Sequence, residues 1–276
     1  MALHRRTAIA VVLAVFAFAG CGGGPADSSG DESGADAAAE SVGPAGTLGE
    51  DDFIETVSKA EREAKSVAMD MRIGGPDVEQ MHMAGRVHQG ESTSEIAMEL
   101  TVSGSVFPVP LSVIVVDEIM YLEMGGLTDD KYVKYNLRDS NSAMGDLLTG
   151  VQLDPTAQLR GFRGAIEDFD VDGAERLDGV DTAHYRVTVD TTTLLDNLET
   201  TSDELFGAGV ERPEQLTYDF WVGADRLPRR ISVTIADVTT RMNLRAWGQP
   251  IDIDAPAPRQ ITERDPFAGI PLPEVV

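Results

Sequence analysis

Side chains that could carry out catalysis are few and scattered in this sequence. The chain has one cysteine, Cys21, and four histidines, of which His82, His88 and His184 fall in stretches that alternate as strands do. No Gly-x-Ser-x-Gly elbow, His-Glu-x-x-His helix or phosphate-binding glycine loop occurs in the sequence. We therefore predict that the protein is not an enzyme and needs no cofactor.

Two groupings have the composition of metal sites. Met69-Asp70-Met71 and Met81-His82-Met83 could offer thioethers to Cu(I) if they faced each other across a hairpin. In a strand, however, His82 points away from the two methionines that flank it, and no further histidine lies at ligand spacing. The run from Asp168 to Gly173 begins like an EF-hand loop, but Gly179 occupies the twelfth position, where a bidentate Glu belongs. We predict no metal, and an acidic connecting loop over that run.

The N-terminus has the features of an export signal. Two arginines precede an uncharged apolar run over residues 8–19, which is shorter than the ~20 residues of a spanning helix. Phe18-Ala19-Gly20-Cys21 closes the run and resembles a bacterial lipobox, with Phe18 where Leu is usual. The resemblance implies that residues 1–20 are a lipoprotein signal peptide and that Cys21 carries a thioether-linked diacylglycerol. The alternative is a plain secretory signal with an incidental cysteine.

The charge of the chain excludes several partners. It has 22 basic and 47 acidic residues, a formal charge of −25, and removal of residues 1–20 takes away Arg5 and Arg6 and no acid, which makes the charge −27. Such a field repels nucleic acid and anionic lipid headgroups. We therefore expect no nucleic-acid partner, and contact with the cell membrane, on its extracytoplasmic face, through the lipid on Cys21 alone. A single cysteine also excludes an intramolecular disulfide.

Composition divides the mature chain into three parts. Residues 21–48 comprise the lipidated cysteine and a stretch of Gly, Ala, Ser, Asp and Glu that cannot bury enough apolar surface to fold, and we predict a disordered acidic tether. Residues 51–258 carry the apolar content of a folded domain. Residues 259–276 contain three prolines and are predicted to be a loosely held tail.

Hydrophobic periodicity predicts an α+β fold. A leading helix has Phe53, Val57, Ala60 and Ala64 at helical spacing, and further helices are expected over 141–150, from Asp154 and after a cap at 191–193. Eleven strands are expected, at 67–73, 81–87, 96–102, 111–116, 119–124, 132–137, 171–177, 182–190, 216–222, 229–236 and 238–247. A sheet of that size must curl, so we predict a large curved antiparallel sheet, a half-open barrel of about 11 strands, with helices covering its concave face.

This order of elements is similar to the LolA-like half-barrel. The late strand Tyr218-Asp219-Phe220-Trp221-Val222 and the closing Trp247-Gly248-Gln249-Pro250-Ile251-Asp252-Ile253, followed by Ala-Pro repeats, resemble the actinobacterial LppX/LprG lipoprotein family. The resemblance covers most of residues 51–258. It implies an envelope lipoprotein that holds acyl chains between sheet and helices and carries lipid or lipoglycan.

Methionines are concentrated in the early strands, and they suit either a cavity for irregular ligands or an ordinary core. The predicted cavity is lined by Met69, Met71, Met83, Met98, Leu100, Val113, Leu122 and Phe220, and closed by Leu159, Phe162, Leu194 and Leu198. The alternative is a non-transporting interaction or regulatory module, as the RseB relatives of this fold are. Its interior would be filled by its own side chains, and its outer face would bind an envelope protein.

Overall fold

The computed structural model describes residues 47–76, 78–90, 95–104, 109–137, 159, 161–198, 200–202, 206 and 212–264. The predicted signal peptide, Cys21, nearly all of the tether and the predicted helix over 141–150 lie outside these residues. None of the helices within the described ranges is long and apolar enough to cross a membrane.

The domain begins with helix α1, Glu50–Ala64. Three acidic residues occupy its first turn, where they complement the positive end of the helix dipole. The predicted helix is present, but its buried face is set one position away from the predicted one. Ala60 and Ala64 are only half-buried. The buried residues are Phe53, Ile54, Val57, Ser58 and Glu61.

Twelve strands follow and form one sheet. They are β1 Ser66–Gly75, β2 Val78–His88, β3 Ala97–Gly104, β4 Leu111–Val116, β5 Ile119–Glu123, β6 Tyr132–Asn136, β7 Ile166–Leu177, β8 Val180–Asp190, β9 Gln215–Gly223, β10 Pro228–Ile235, β11 Val238–Arg245 and β12 Ile261–Thr262. Their order is β12-β6-β5-β4-β3-β2-β1-β11-β10-β9-β8-β7. The sheet is curved, open and antiparallel except for β12, so the predicted fold class is confirmed with one strand more than expected.

The additional strand lies where a loose tail was predicted. Ile261 and Thr262 pair in parallel with β6, and the Arg264 guanidinium donates a hydrogen bond to the Asp129 carboxylate, 2.6 Å away. At the other end, the backbone N–H of Leu48 donates to the hydroxyl of Tyr185 at 3.0 Å, and Leu48 is buried. The ordered domain therefore extends beyond the predicted 51–258 in both directions.

The acidic run at residues 168–173 is part of strand β7 and not a connecting loop. Most side chains of β7 are exposed, and its pairing with β8 shifts register between Ile166 and Asp168 and between Val171 and Gly173. The strand begins earlier than predicted because Ile166 and Phe169 turn toward the core, where the Phe169 ring lies 5.3 Å from that of Phe53.

Helix α2, Thr191–Asn197, is capped by Asp190 and not by the threonines that follow it. The Asp190 carboxylate accepts hydrogen bonds from the backbone N–H of Thr193 at 2.7 Å and from its hydroxyl at 2.6 Å. These bonds hold the pKa of Asp190 below its usual value. The helix ends at Asn197, so Leu198 follows it instead of lying within it.

Candidate functional site

The concave face of the sheet is apolar because alternate side chains of neighbouring strands point to the same side. In β1 and β2, Val67 lies opposite Val87 and Met71 opposite Met83, and all four are buried. The methionine-rich composition of this wall is visible in the described residues, where the buried ones are Met69, Met71, Met81, Met83, Met98, Met120 and Met242. The wall can therefore adapt to an apolar ligand of irregular shape.

The wall continues through β3, β4 and β5. Leu100 lies opposite Val113, which in turn lies opposite Leu122. Leu100 also crosses the inner side of Gly85, where an added Cβ would lie 2.4 Å from the Leu100 Cδ2. Val113 is half-buried, although Leu100 and Leu122 on either side of it are buried. Other half-buried apolar residues on this side of the interior are Leu111, Met124 and Leu137.

Helix α1 covers the opposite part of the interior. The Phe53 ring packs among three aromatic rings of the last strands, at centroid distances of 5.0 Å from Tyr185 and 5.3 Å from both Phe169 and Phe220. Rings at these distances and inclined angles make favourable edge contacts. The beginning of α1 is therefore fixed on β7, β8 and β9.

A second cover is formed by residues 159 and 161–165 together with α2. The Phe162 ring lies 4.8 Å from Tyr218 and 5.9 Å from Phe220. The Asn197 amide donates at 2.9 Å to the carbonyls of both Gly161 and Arg163, which ties α2 to this segment. The residue at position 161 must be small for this segment to pack closely against the end of α2, because a Cβ on Gly161 would lie 2.8 Å from the Leu198 side chain.

All twelve residues of the predicted cavity join one apolar cluster. Ten are buried members of it, and Val113 and Leu198 are half-buried and pack against it. The ten are Met69, Met71, Met83, Met98, Leu100, Leu122, Leu159, Phe162, Leu194 and Phe220. That these side chains contact a ligand stays a prediction, and lipidation of Cys21 lies outside the described residues.

In the grouping considered for Cu(I), the methionines share the concave face of the sheet and His82 does not. Met69, Met71, Met81 and Met83 lie in the apolar interior, whereas His82 faces the other side of the sheet, where its Nε2 lies 2.7 Å from the Asp70 carboxylate. Within the described part of the chain, no group of three or more His, Cys, Asp or Glu side chains could hold a metal ion.

The convex face carries a ladder of polar side chains across β8 to β11. The rings of His184 and Trp221 stack at 4.3 Å, and the Arg230 guanidinium lies 5.3 Å from the centre of the Trp221 ring. The Trp221 Nε1–H donates to the Glu175 carboxylate at 2.7 Å, and the Arg230 Nε donates to Asn243 at 3.1 Å. Trp221 is therefore enclosed by its neighbours, as a structural aromatic would be.

Sequence reasoning missed a buried polar group at the end of α1. The Glu61 side chain is in the core, where one carboxylate oxygen has no hydrogen-bond partner, and burial raises the pKa of Glu61 to about 8. A signal for it was present in the sequence, because Phe53, Val57 and Glu61 are spaced by four residues along one face of the helix.

An open, curved sheet with an apolar concave face and two helical covers defines a half-open barrel of the α+β class. The lipoprotein LppX of Mycobacterium tuberculosis is similar to this chain with a TM-score of 0.50 at 14% identity, over 75% of this chain and 100% of LppX. LprF of Mycobacterium bovis is similar with a TM-score of 0.50 at 16% identity, over 75% of this chain and 98% of LprF.

A LolA superfamily protein of Nitrosomonas europaea also aligns, over 70% of this chain and 91% of its own, with a TM-score of 0.25 at 9% identity. No protein-family model and no curated protein sequence matches the chain. The predicted resemblance to LppX-type lipoproteins is confirmed at the level of the fold, which is what likeness at these identities establishes.

Proposed function

We propose that this protein is a membrane-anchored extracytoplasmic lipoprotein that binds acyl chains in the concave interior of its sheet and carries lipid or lipoglycan within the cell envelope. The observation that carries the proposal is the continuous apolar wall that runs from the buried methionines of β1 and β2 to the half-buried Val113 of β4. Each buried methylene of an acyl chain contributes about 0.8 kcal/mol, so binding needs no pattern of hydrogen bonds.

The half-buried apolar residues suggest where a chain would enter. Leu111, Val113, Met124 and Leu137 lie away from the aromatic contacts of α1 and keep part of their surface exposed. Apolar side chains that face a concave interior yet stay partly exposed are suited to contact a ligand. We therefore place the entrance on the side of β4 to β6.

A membrane anchor would keep this interior near its lipid source. Cys21 would carry the acyl chains of the anchor, since two or more chains hold a soluble domain durably on a bilayer. In this scheme the acidic tether separates the domain from the anionic surface that repels it. An envelope protein partner for transfer is part of the same scheme.

The test compares native and denaturing mass spectra of the full chain purified from membranes in a mild detergent. The denatured mass reports covalent lipid, which should be present on a chain that begins at Cys21 and absent from a Cys21→Ser variant. The difference between the native and denatured masses reports bound lipid, and we expect one acylated ligand per chain. A native mass equal to the denatured mass, with no uptake of added oleic acid, would refute the carrier.

A matched pair of variants tests which face of the sheet contacts the bound lipid. Val113→Trp adds a large side chain on the concave face at a half-buried position and should abolish bound lipid. Ser112→Trp adds the same side chain to the adjacent position of β4, which points to the convex face, and should leave binding intact. Equal lipid content in the two variants would show that lipid binds elsewhere.

The second candidate is the non-transporting interaction module. The observation in its favour is that Phe53, Tyr185 and Phe220 fill their part of the interior with mutual ring contacts. An interior filled in this way throughout would give the clean native mass described above. A search for a protein that binds the convex face would then be the next step.

A further inference from the structure

The buried face of α1 changes from apolar to polar along its length. Phe53, Ile54 and Val57 occupy its first half, and Ser58 and Glu61 occupy the continuation of the same face. Both polar side chains are as buried as the apolar ones, since the exposed fraction is 5% for Ser58 and 6% for Glu61. A carboxyl in such a position is costly unless it has partners. The helix thus keeps polar groups where packing alone would select apolar ones.

A third buried polar side chain lies at the same end of α1. Gln89 is 3% exposed, and its backbone N–H donates at 2.7 Å to the carbonyl of Lys65, the residue directly after the helix. The N–H of Lys65 donates in turn to the carbonyl of Glu61 at 3.3 Å. Gln89 directly follows β2, and its hydrogen bond to Lys65 brings this buried residue next to the end of α1. Ser58, Glu61 and Gln89 therefore border the interior where β2 ends and β1 begins.

Each of these three side chains has a buried oxygen atom that lacks a hydrogen-bond partner among the described residues. These atoms are the Ser58 Oγ, the Glu61 Oε2 and the Gln89 Oε1. The Gln89 Oε1 can only accept a hydrogen bond, whereas the Ser58 hydroxyl and a protonated Glu61 carboxyl can both donate and accept, so a group that itself donates and accepts, as a hydroxyl does, can satisfy all three. Because burial raises the pKa of Glu61 to about 8, its carboxyl is mostly uncharged at neutral pH and offers no charge to attract a cation.

We propose that Ser58, Glu61 and Gln89 form a polar subsite for an uncharged hydroxyl-bearing lipid head, such as the free hydroxyls of a glycerol. This inference rests on the proposed lipid-binding function and adds the chemical class of the head group. The acyl chain would lie along the methionine wall, which the subsite adjoins at Val87. The cargo would then be selected by the presence of hydroxyl donors on an apolar chain, and fatty esters without a donor would be disfavoured.

The test is a competition on the full chain, in mild detergent, between three probes that share an oleyl chain. Monooleoylglycerol offers two hydroxyls, methyl oleate offers no donor, and oleylamine offers a cation. We expect native mass spectra to show monooleoylglycerol bound at least about tenfold over methyl oleate, since two or three hydrogen bonds at a buried site distinguish the two probes. Oleylamine should not exceed monooleoylglycerol at pH 7.

The wild-type competition is informative without any variant. Equal binding of monooleoylglycerol and methyl oleate would overturn the subsite while leaving the carrier in place, and would mean that buried water satisfies the three oxygens. Preference for oleylamine would overturn the assigned head-group class. Binding of no probe would refute the carrier function and the subsite with it.

Variants then assign the preference to particular atoms. Ser58→Ala removes one donor–acceptor with little change in volume and should lower the preference for monooleoylglycerol about three- to tenfold, without a change in methyl oleate binding. Ser103→Ala is the control, because Ser103 lies opposite His82 and faces the convex side of the sheet. If the two variants have the same preference as the wild-type chain, Ser58 is not part of the subsite.

Discussion

Glu61 should make the stability of this protein fall as the pH rises through the neutral range. Burial raises the pKa of Glu61 from its ordinary 4.5 to about 8 in the folded chain, so the folded state retains a proton that the unfolded state releases. Between these two values the unfolded chain binds fewer protons, and the free energy of unfolding decreases with increasing pH. Below pH 4.5 both states are protonated and above pH 8 both are ionised, so the dependence is confined to that window.

The magnitude follows from the displacement of the pKa. A raise from 4.5 to about 8 corresponds to on the order of 5 kcal/mol between the two plateaus, with a slope of about 1.4 kcal/mol for each pH unit. Glu61→Gln keeps the shape of the side chain and cannot ionise. Between pH 5 and pH 8 the wild-type chain should therefore lose about 4 kcal/mol more stability than this variant does.

The assay is urea unfolding of the full chain in a mild non-ionic detergent at half-unit steps from pH 4.5 to pH 9. Glu63→Gln is the matched control, because Glu63 is on the exposed side of the same helix, where it lies 3.9 Å from the Lys59 ammonium. It should follow the wild-type curve. Parallel curves for wild type and Glu61→Gln would refute the reasoning and show that the Glu61 carboxyl is solvated or paired in the folded chain.

Three further substitutions should change stability through separate contacts, all read from the urea midpoint. Asp190→Ala removes the cap of α2 and should cost about 1 kcal/mol, whereas an unchanged midpoint would mean that Thr193 does not depend on that carboxylate. Gly85→Ala should be strongly destabilising, since its Cβ would lie 2.2 Å from a backbone oxygen of β3, and Gly126→Ala, which has open space, should be tolerated. Trp221→Phe removes the donor to Glu175 and should cost about 1 kcal/mol, a result that an intact midpoint would contradict.

Strands with one buried and one exposed face could be predicted, whereas the first half of β7 and the whole of β12 could not. β1 and β2 alternate between Met or Val and polar residues, so both existence and orientation follow from the sequence. The first half of β7 has no such alternation, because it is an edge strand with most side chains in water, and its aspartates resemble a loop. β12 has only two residues in a proline-containing segment, and its pairing with β6 depends on distant residues that no local pattern reveals.

The face of α1 was predicted only in part, for a physical reason. Phe53 and Val57 fix the general direction of the buried face, and the small alanines at positions 60 and 64 are compatible with burial. Tertiary packing places Glu61 inward instead, and pattern reasoning assigns a carboxylate to solvent by default. The same limit applies to the predicted cavity, because methionine and leucine fill a closed core and line a ligand site equally well.

Under the proposed function, the concave face of the sheet would contact acyl chains and the convex face would help to maintain its curvature. If acyl chains exchange with side chains of the interior, contacts on the concave face cannot alone maintain the curvature of the sheet. The convex ladder of His184, Trp221, Arg230 and Asn243 joins four adjacent strands through stacking and hydrogen bonds that do not involve the interior. Because these groups are polar and paired, their contacts do not depend on whether the interior is filled. Under the proposed function, β8 to β11 would therefore keep their arrangement while the half-buried residues of β4 exchange side-chain contacts for contacts with a ligand.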